Sequence, residues 1–233
     1  MRTVQGELER ALARVCNEPV RIAGAGRTDA GVHAIGQTIS FRTASALDGA
    51  KMGRGVNALL PEDIAISALE PCGDDFHARF SATGRTYEYR LRLGPTRDPL
   101  ERWAFHPHVE PAIEPMRDAT AQLIGRRDFS AFASGPGGTR TVRRAEWARE
   151  GTLLRFEIEA DAFLRGMVRA IVGTLLWVGS GKIDGGRFGE IVSSSDRTQA
   201  GPNAPARGLC LTRVSYADDP NGVERGKSQE AGE

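Results

Sequence analysis

Apolar positions recur at helical spacing from Thr3 to Val15, where Val4, Leu8, Ala11, Leu12 and Val15 form one stripe and Thr3 is placed to cap it. Arg21 to Ala25 reads as a short strand. Gln37 to Phe41 reads as a half-buried one, because Ile39 and Phe41 alternate with Thr38 and Ser40. A helix from Lys51 to Leu60 stops at Pro61, and Ile64 to Leu69 reads as a strand. The clearest alternation runs from Thr86 to Leu93. Tyr87, Tyr89, Leu91 and Leu93 share one face, and Thr86, Glu88, Arg90 and Arg92 share the other.

Gly94 to His108 has three prolines and no periodicity, which sets a boundary between residues 1–105 and 106–216. Beyond it come a helix over Ile113–Ile124, strands near Arg143–Arg149 and Leu153–Ala160 flanking Glu150-Gly151, and an apolar helix over Leu164–Val178. A shorter helix near Gly186–Ser193 and a closing strand over Gly208–Tyr216 follow. Strands and helices intermix without a βαβ rhythm. The expected class is therefore α+β: two similar halves sharing a mainly antiparallel sheet, with the active-site cleft between them. Residues 217–233 are polar and are read as a disordered tail.

Composition narrows the function classes. No run approaches the roughly 18 apolar residues of a membrane span. The start, MRTVQGELERAL, is charged and amphipathic, with no signal-peptide pattern. Cys16, Cys72 and Cys210 are widely spaced and form no CxxC pair, and His106-Pro107-His108 lacks companion ligands. A cytoplasmic enzyme with no structural metal and no membrane association is expected. The net charge of +1 hides an uneven distribution, because the tail after Tyr216 carries five acids against Arg225 and Lys227. All 31 basic residues except Lys51, Lys182 and Lys227 are arginine, whose planar fork suits phosphates and base edges, although a coding bias toward arginine explains the excess equally well.

The chemistry-bearing stretch is Gly26-Arg27-Thr28-Asp29-Ala30-Gly31-Val32-His33. Read alone, it is a tight turn between two strands, with Gly31 at positive φ and a short carboxylate exposed at the tip. Arg27 could hold that carboxylate or read a phosphate. A purely structural turn, with Asp29 bonded to nearby amides, fits the spacing as well. The glycine-rich stretches lack the Lys-Ser/Thr of a P-loop.

In context the reading sharpens. AGAGRTDAGVHAIGQTISF resembles the first signature of the TruA family of tRNA pseudouridine synthases. TVQGELERAL, VNALLPEDIAI, FHARFSATGRTYEYRL, FLRGMVRAIVGTLLWVG and APARGLCLTRV are similar to that family's later blocks, in order, over most of Thr3 to Tyr216. The resemblance implies the pseudouridine synthase fold, with Asp29 as nucleophile and Arg169 as its counter-ion, a pairing suited to a site that closes and expels water. It implies Tyr87 stacked on a flipped uracil, Leu209 packed against the site, and Arg27 and His33 completing the substrate-binding set, His33 by ordering the loop. It implies a tRNA substrate modified in the anticodon stem-loop at positions 38, 39 and 40, a homodimer, and no cofactor. Breaking the N1–C1′ bond and rejoining the base through C5 suits a carboxylate nucleophile. Attack at C1′, attack at C6 and deprotonation of the sugar all remain open.

Arginine-dense stretches supply expected RNA contacts at Arg79, Arg85, Arg126, Arg143 and Arg144. Relatives of this family open with a strand and loop of the type YDGTxFxGWQxQ before the helix that here begins at Thr3, so a first strand is read as missing, with a late start assignment preferred. The alternative function is an N-terminally truncated, catalytically impaired RNA-binding or tRNA-folding protein on the same scaffold. A carboxylate-dependent glycosidase is disfavoured, because no second catalytic acid accompanies Asp29.

Overall fold

The structure, a computed structural model, describes residues 2–217; the tail from Asp218 onward, read above as disordered, lies outside them. Along the chain the elements are α1 (Val4–Cys16), β1 (Ile22–Gly24), β2 (His33–Ala34), β3 (Ile39–Phe41), α2 (Gly49–Asn57), β4 (Ala82–Arg92) and α3 (Ile113–Thr120). They continue with β5 (Gly125–Asp128), β6 (Thr139–Glu150), β7 (Leu153–Ala160), α4 (Met167–Gly179), α5 (Gly185–Ser194) and β8 (Leu209–Tyr216).

The strand with the clearest alternation, β4, sits inside the sheet. One edge pairs antiparallel with β7 and the other antiparallel with β8. The six-stranded sheet has the order β2-β8-β4-β7-β6-β5, and among these described strands β2 with β8 is the one parallel pair. This is the mixed α+β class with a mainly antiparallel sheet that the pattern predicts. The sheet takes β2 and β4 from before residue 94 and β5 to β8 from after it.

One sheet face is apolar, with Tyr87, Tyr89 and Leu91 of β4 beside Leu154, Phe156 and Ile158 of β7. It is buried in a single cluster with Met116 of α3, Val168, Ile171 and Leu175 of α4, and Phe188 and Ile191 of α5. The buried Trp147 indole donates to Thr120 Oγ1 at 3.0 Å, and that hydroxyl donates to Met116 O, so this polar pair enters the core without an orphaned donor. The opposite face is charged. It carries Glu88, Arg90, Arg155 and Glu157, with Arg90 paired to Glu88 and Arg144 to Glu157. A second, smaller core joins Leu12 of α1 and Met52 and Val56 of α2 to the β1–β3 ribbon through Ile22, Ile39 and Phe41.

Local signals explain the helix ends. Thr3 caps α1 by accepting from the Gly6 N–H at 3.1 Å, and Asn17 ends it at φ +56. Asp48 caps α2 in the same way. The apolar helix begins at Met167 rather than Leu164, because Gly166 at φ +74 breaks the helical path before it.

The strand expected over Ile64–Leu69 is absent. The backbone of Ile66 bonds both ends of the Asn57 side-chain amide, at 2.8 and 2.7 Å, and so needs no ladder. Two short strands escape the pattern: β2 is too short to show alternation, and β5 reads GRRD with no apolar position. No helix among the described residues is long and apolar enough to cross a membrane.

The connection from β2 to β3 is pressed onto β8. The Ile35 and Gly36 N–H groups both donate to Leu211 O, at 3.0 and 3.1 Å, and a Cβ at Gly36 would lie 2.1 Å from Thr212 O. Gly36→Ala is therefore expected to lower stability by roughly 1–3 kcal/mol through overpacking against backbone. Urea unfolding should show a lower midpoint with an unchanged slope.

Candidate active site

The turn predicted between β1 and β2 is present. Ala25 donates to Thr38 O at 2.9 Å and the Gln37 side chain donates to Gly26 O at 2.9 Å, which anchor the loop's entry. Gly31 takes φ +81, the positive value expected of it, and Val32 donates to Asp29 O at 3.0 Å, closing the turn. With its backbone oxygen thus occupied, Asp29 presents a carboxylate whose side chain is 34% exposed.

Arg169, in the first turn of α4, meets that carboxylate. Its Nη1 lies 3.0 Å from Asp29 Oδ2, across 140 positions of sequence. Its Nε donates to Ala204 O at 2.8 Å, and Ala204 N–H donates back to Arg169 O at 2.9 Å. The Ala204 loop is in turn fixed by close packing. Thr174 Oγ1 accepts from Gly201 N–H at 2.8 Å, and Gly173 lies so near the loop that a Cβ there would stand 1.8 Å from Pro202 O. The Tyr89 hydroxyl donates to Pro205 O at 2.8 Å. A partly solvated pair of this kind adds at most about 1 kcal/mol to folding, so its value lies in orienting the two charges.

Tyr87 is 8% exposed, and its ring meets Phe163 edge-on with centroids 5.1 Å apart and planes at 87°. Burial pushes its phenol up to about 12. Arg85 opposes that rise, and the charges of Asp29 and Cys210 add to it. The hydroxyl therefore keeps its proton at neutral pH and is equipped to donate. Leu209 is buried at the start of β8, opposite Tyr89. His33 lies in β2 beside Cys210, edge-on to Trp103 at 4.4 Å, with its Nε2 buried and without a partner among the described residues. Burial, with help from Arg90, holds its imidazole below the usual value and so neutral.

The sequence profile of the tRNA pseudouridine synthase family matches residues 1–81 and 119–217. The chain is 42% identical over 225 residues to tRNA pseudouridine synthase A of Geobacillus kaustophilus, covering 94% of this chain and 87% of that protein. It is 43% identical over 219 residues to the protein of that name from Neisseria gonorrhoeae, covering 92% and 83%, and 44% identical over 225 residues to that of Chloroflexus aurantiacus, covering 93% and 81%. The chain belongs to the tRNA pseudouridine synthase family. It is an isomerase that makes pseudouridine in tRNA.

In this synthase the arginines expected to touch RNA stand in different situations. Arg27 is exposed and forms no ion pair among the described residues, so Asp29 meets Arg169 and not its near neighbour. Arg79 is exposed, 5.7 Å above the Phe80 ring, and Arg126 is exposed on the edge strand β5. Arg143 donates to Thr83 O and lies 3.5 Å from Glu159, while Arg144 pairs with Glu146 and Glu157. Arg85 is turned inward onto backbone carbonyls and not toward solvent. Sequence reasoning missed the Ala204 carbonyl, Thr174 and the Tyr89 hydroxyl. Only Tyr89 left a signal, by sharing the face of Tyr87.

Helix propensity alone makes Gly173→Ala stabilising by about 1 kcal/mol. The contact with Pro202 O predicts the reverse for catalysis, because the displaced loop carries the carbonyl that orients Arg169. Turnover on tRNA is expected to fall roughly 10- to 100-fold, measured as pseudouridine formed per enzyme under saturating substrate.

Proposed function

We propose that the chain isomerises uridine to pseudouridine in the anticodon stem-loop of tRNA, at positions 38, 39 and 40, with Asp29 as nucleophile, Arg169 as its counter-ion and Tyr87 as the ring against the flipped base. The observation that carries this reading is the 3.0 Å Asp29–Arg169 contact, which joins two sequence blocks 140 residues apart in a half-exposed position. The reaction exchanges an N1–C1′ bond for a C5–C1′ bond. The base loses the proton on C5 and gains one on N1, so no external co-reactant is consumed. A carboxylate fits this chemistry by holding the sugar or the base covalently while the base turns. Arg169 supports it by keeping a positive charge beside the oxygen, with its own orientation fixed through Ala204 O. The protonated Tyr87 phenol is suited to donating toward the turned base.

Phosphate contacts fall most readily to Arg27, Arg79 and Arg126, which are exposed and have no acidic partner among the described residues. Arg143 and Arg144 would exchange their present partners for phosphate. Leu209 and His33 shape the site without taking part in proton transfer. The working form is a homodimer in the cytoplasm, as the family resemblance implies.

Asp29→Asn is expected to lower the single-turnover rate at least roughly 10⁴-fold while leaving tRNA affinity near its original value. If the unmodified chain binds tRNA and yields as little pseudouridine as Asp29→Asn, the protein is a binding module and the nucleophile assignment fails. Mapping pseudouridine in tRNA from cells lacking the gene should show loss at positions 38 to 40. Light scattering in solution should give twice the chain mass of 25.1 kDa.

A further inference from the structure

Asp29 and Arg169 can meet only if two segments distant in sequence are held at a fixed separation. One is the strand-to-turn stretch through Ala25 that leads into Asp29. The other is the stretch from Asp161 through Phe163 to Gly166 that leads into α4 and Arg169. Both end on the same guanidinium. Arg85 Nη2 donates to Ala25 O at 2.9 Å, and Nη1 donates to Asp161 O at 2.9 Å. The remaining terminal donors reach Arg79 O at 2.9 Å and Ala82 O at 3.4 Å.

We infer that Arg85 is a positioning residue, a backbone clamp that sets the nucleophile loop against the segment carrying its counter-ion, and not a phosphate contact. The inference rests on the proposed roles of Asp29 and Arg169. Four acceptors use the four terminal N–H groups, leaving only Nε for RNA. The acceptors are themselves tethered. Ala25 is buried and its N–H is bonded to Thr38 O. Asp161 N–H is bonded to Thr141 O at 3.1 Å, and its carboxylate accepts from Thr141 and Ala162 N–H at 3.0 and 2.7 Å. A shift of the guanidinium therefore cannot be absorbed by these groups alone. Arg85 also stands two residues before Tyr87 on β4, so the same strand face carries the clamp and the aromatic ring.

Arg and Lys separate the two roles. A lysine can still neutralise a phosphate as a point charge, but its three donors on a flexible stem do not span four carbonyls in a plane. The experiment compares the full-length wild type, Arg85→Lys, Arg85→Ala and Asp29→Asn. It follows pseudouridine formation in a tRNA transcript under single turnover at saturating enzyme, and tRNA affinity from 50 to 200 mM salt. Expected for Arg85→Lys is a rate lowered roughly 10- to 100-fold with affinity and its salt slope unchanged. Arg85→Ala should fall at least as far, and added guanidinium ion should restore part of its rate. The inference is overturned if Arg85→Lys turns over like the wild type. It is also overturned if Arg85→Ala binds more weakly, with a salt slope shallower by about one, at an unchanged saturating rate. Loss of the fold in both variants overturns it too, since the residue would then act on the whole domain and not on the site. Wild-type activity that survives Asp29→Asn defeats the nucleophile reading instead. Activity lost with Asp29→Asn but kept with Arg85→Lys defeats only the clamp.

Discussion

The site depends on a single strand bonded along both edges. β4 pairs with β7 over Arg85–Arg92 and with β8 over Ala82–Tyr89, and this two-sided ladder leaves it little freedom to twist or slide. Arg85, Tyr87 and Tyr89 project from the same face at a spacing of two. The first holds carbonyls of the stretch leading into the Asp29 turn and of the segment before α4. The second is a buried ring edge-on to Phe163, and the third holds Pro205 O, next to the residue that orients Arg169. The pleat thus sets the distances between groups contributed by four separate parts of the chain. On the β8 side the ladder skips Thr212 between its pairings with Thr86 and Tyr87. The Thr212 hydroxyl bonds Thr86 O, and the irregularity falls beside the site and not at a sheet end.

Much of this could be read in the chain's periodicity and motifs. Alternation located β4, β7 and β8. Helical stripes and caps located α1, α4 and α5 to within a few residues, because burial on one face leaves a period that survives in a single sequence. The contact between Asp29 and Arg169 was legible through motif blocks. The rest was not, for reasons visible in particular residues. The group that aims Arg169 is a backbone carbonyl at Ala204, which any residue could supply. The closeness of Gly173 to Pro202 is a packing fact that looks, in sequence, like a weak point in a helix. Ile64 to Leu69 has strand-like residues, but the Ile66 backbone finds its hydrogen bonds on Asn57, so composition misled.

Arginine abundance does not translate directly into unmatched positive charge. Arg85 is spent on carbonyls, and Arg144 and Arg90 on carboxylates of the charged sheet face. Of the five arginines expected to grip RNA, Arg79 and Arg126 are exposed without an acidic partner among the described residues, and Arg27 is a third such group. Exposed surface pairs are weak enough for phosphate to compete for them. A near-neutral chain can therefore still present local positive charge, provided a few guanidinium groups are left unmatched.

The place of β8 in the sheet has a consequence for biosynthesis. Among the described residues this strand is the last element, yet it is the sole ladder partner of β2 and one of two partners of β4. While the chain is being made, β4 therefore waits with an open hydrogen-bonding edge, and the far side of the Asp29 loop has nothing to rest on, until residues 209–216 have left the ribosome. A protein interrupted before that point would carry all of its proposed reactive side chains, tied through Arg85 and the β4–β7 ladder but lacking the support that β8 gives the connection after the Asp29 turn. The order of synthesis thus leaves a late-closing strand edge that nascent chains must keep from pairing with one another.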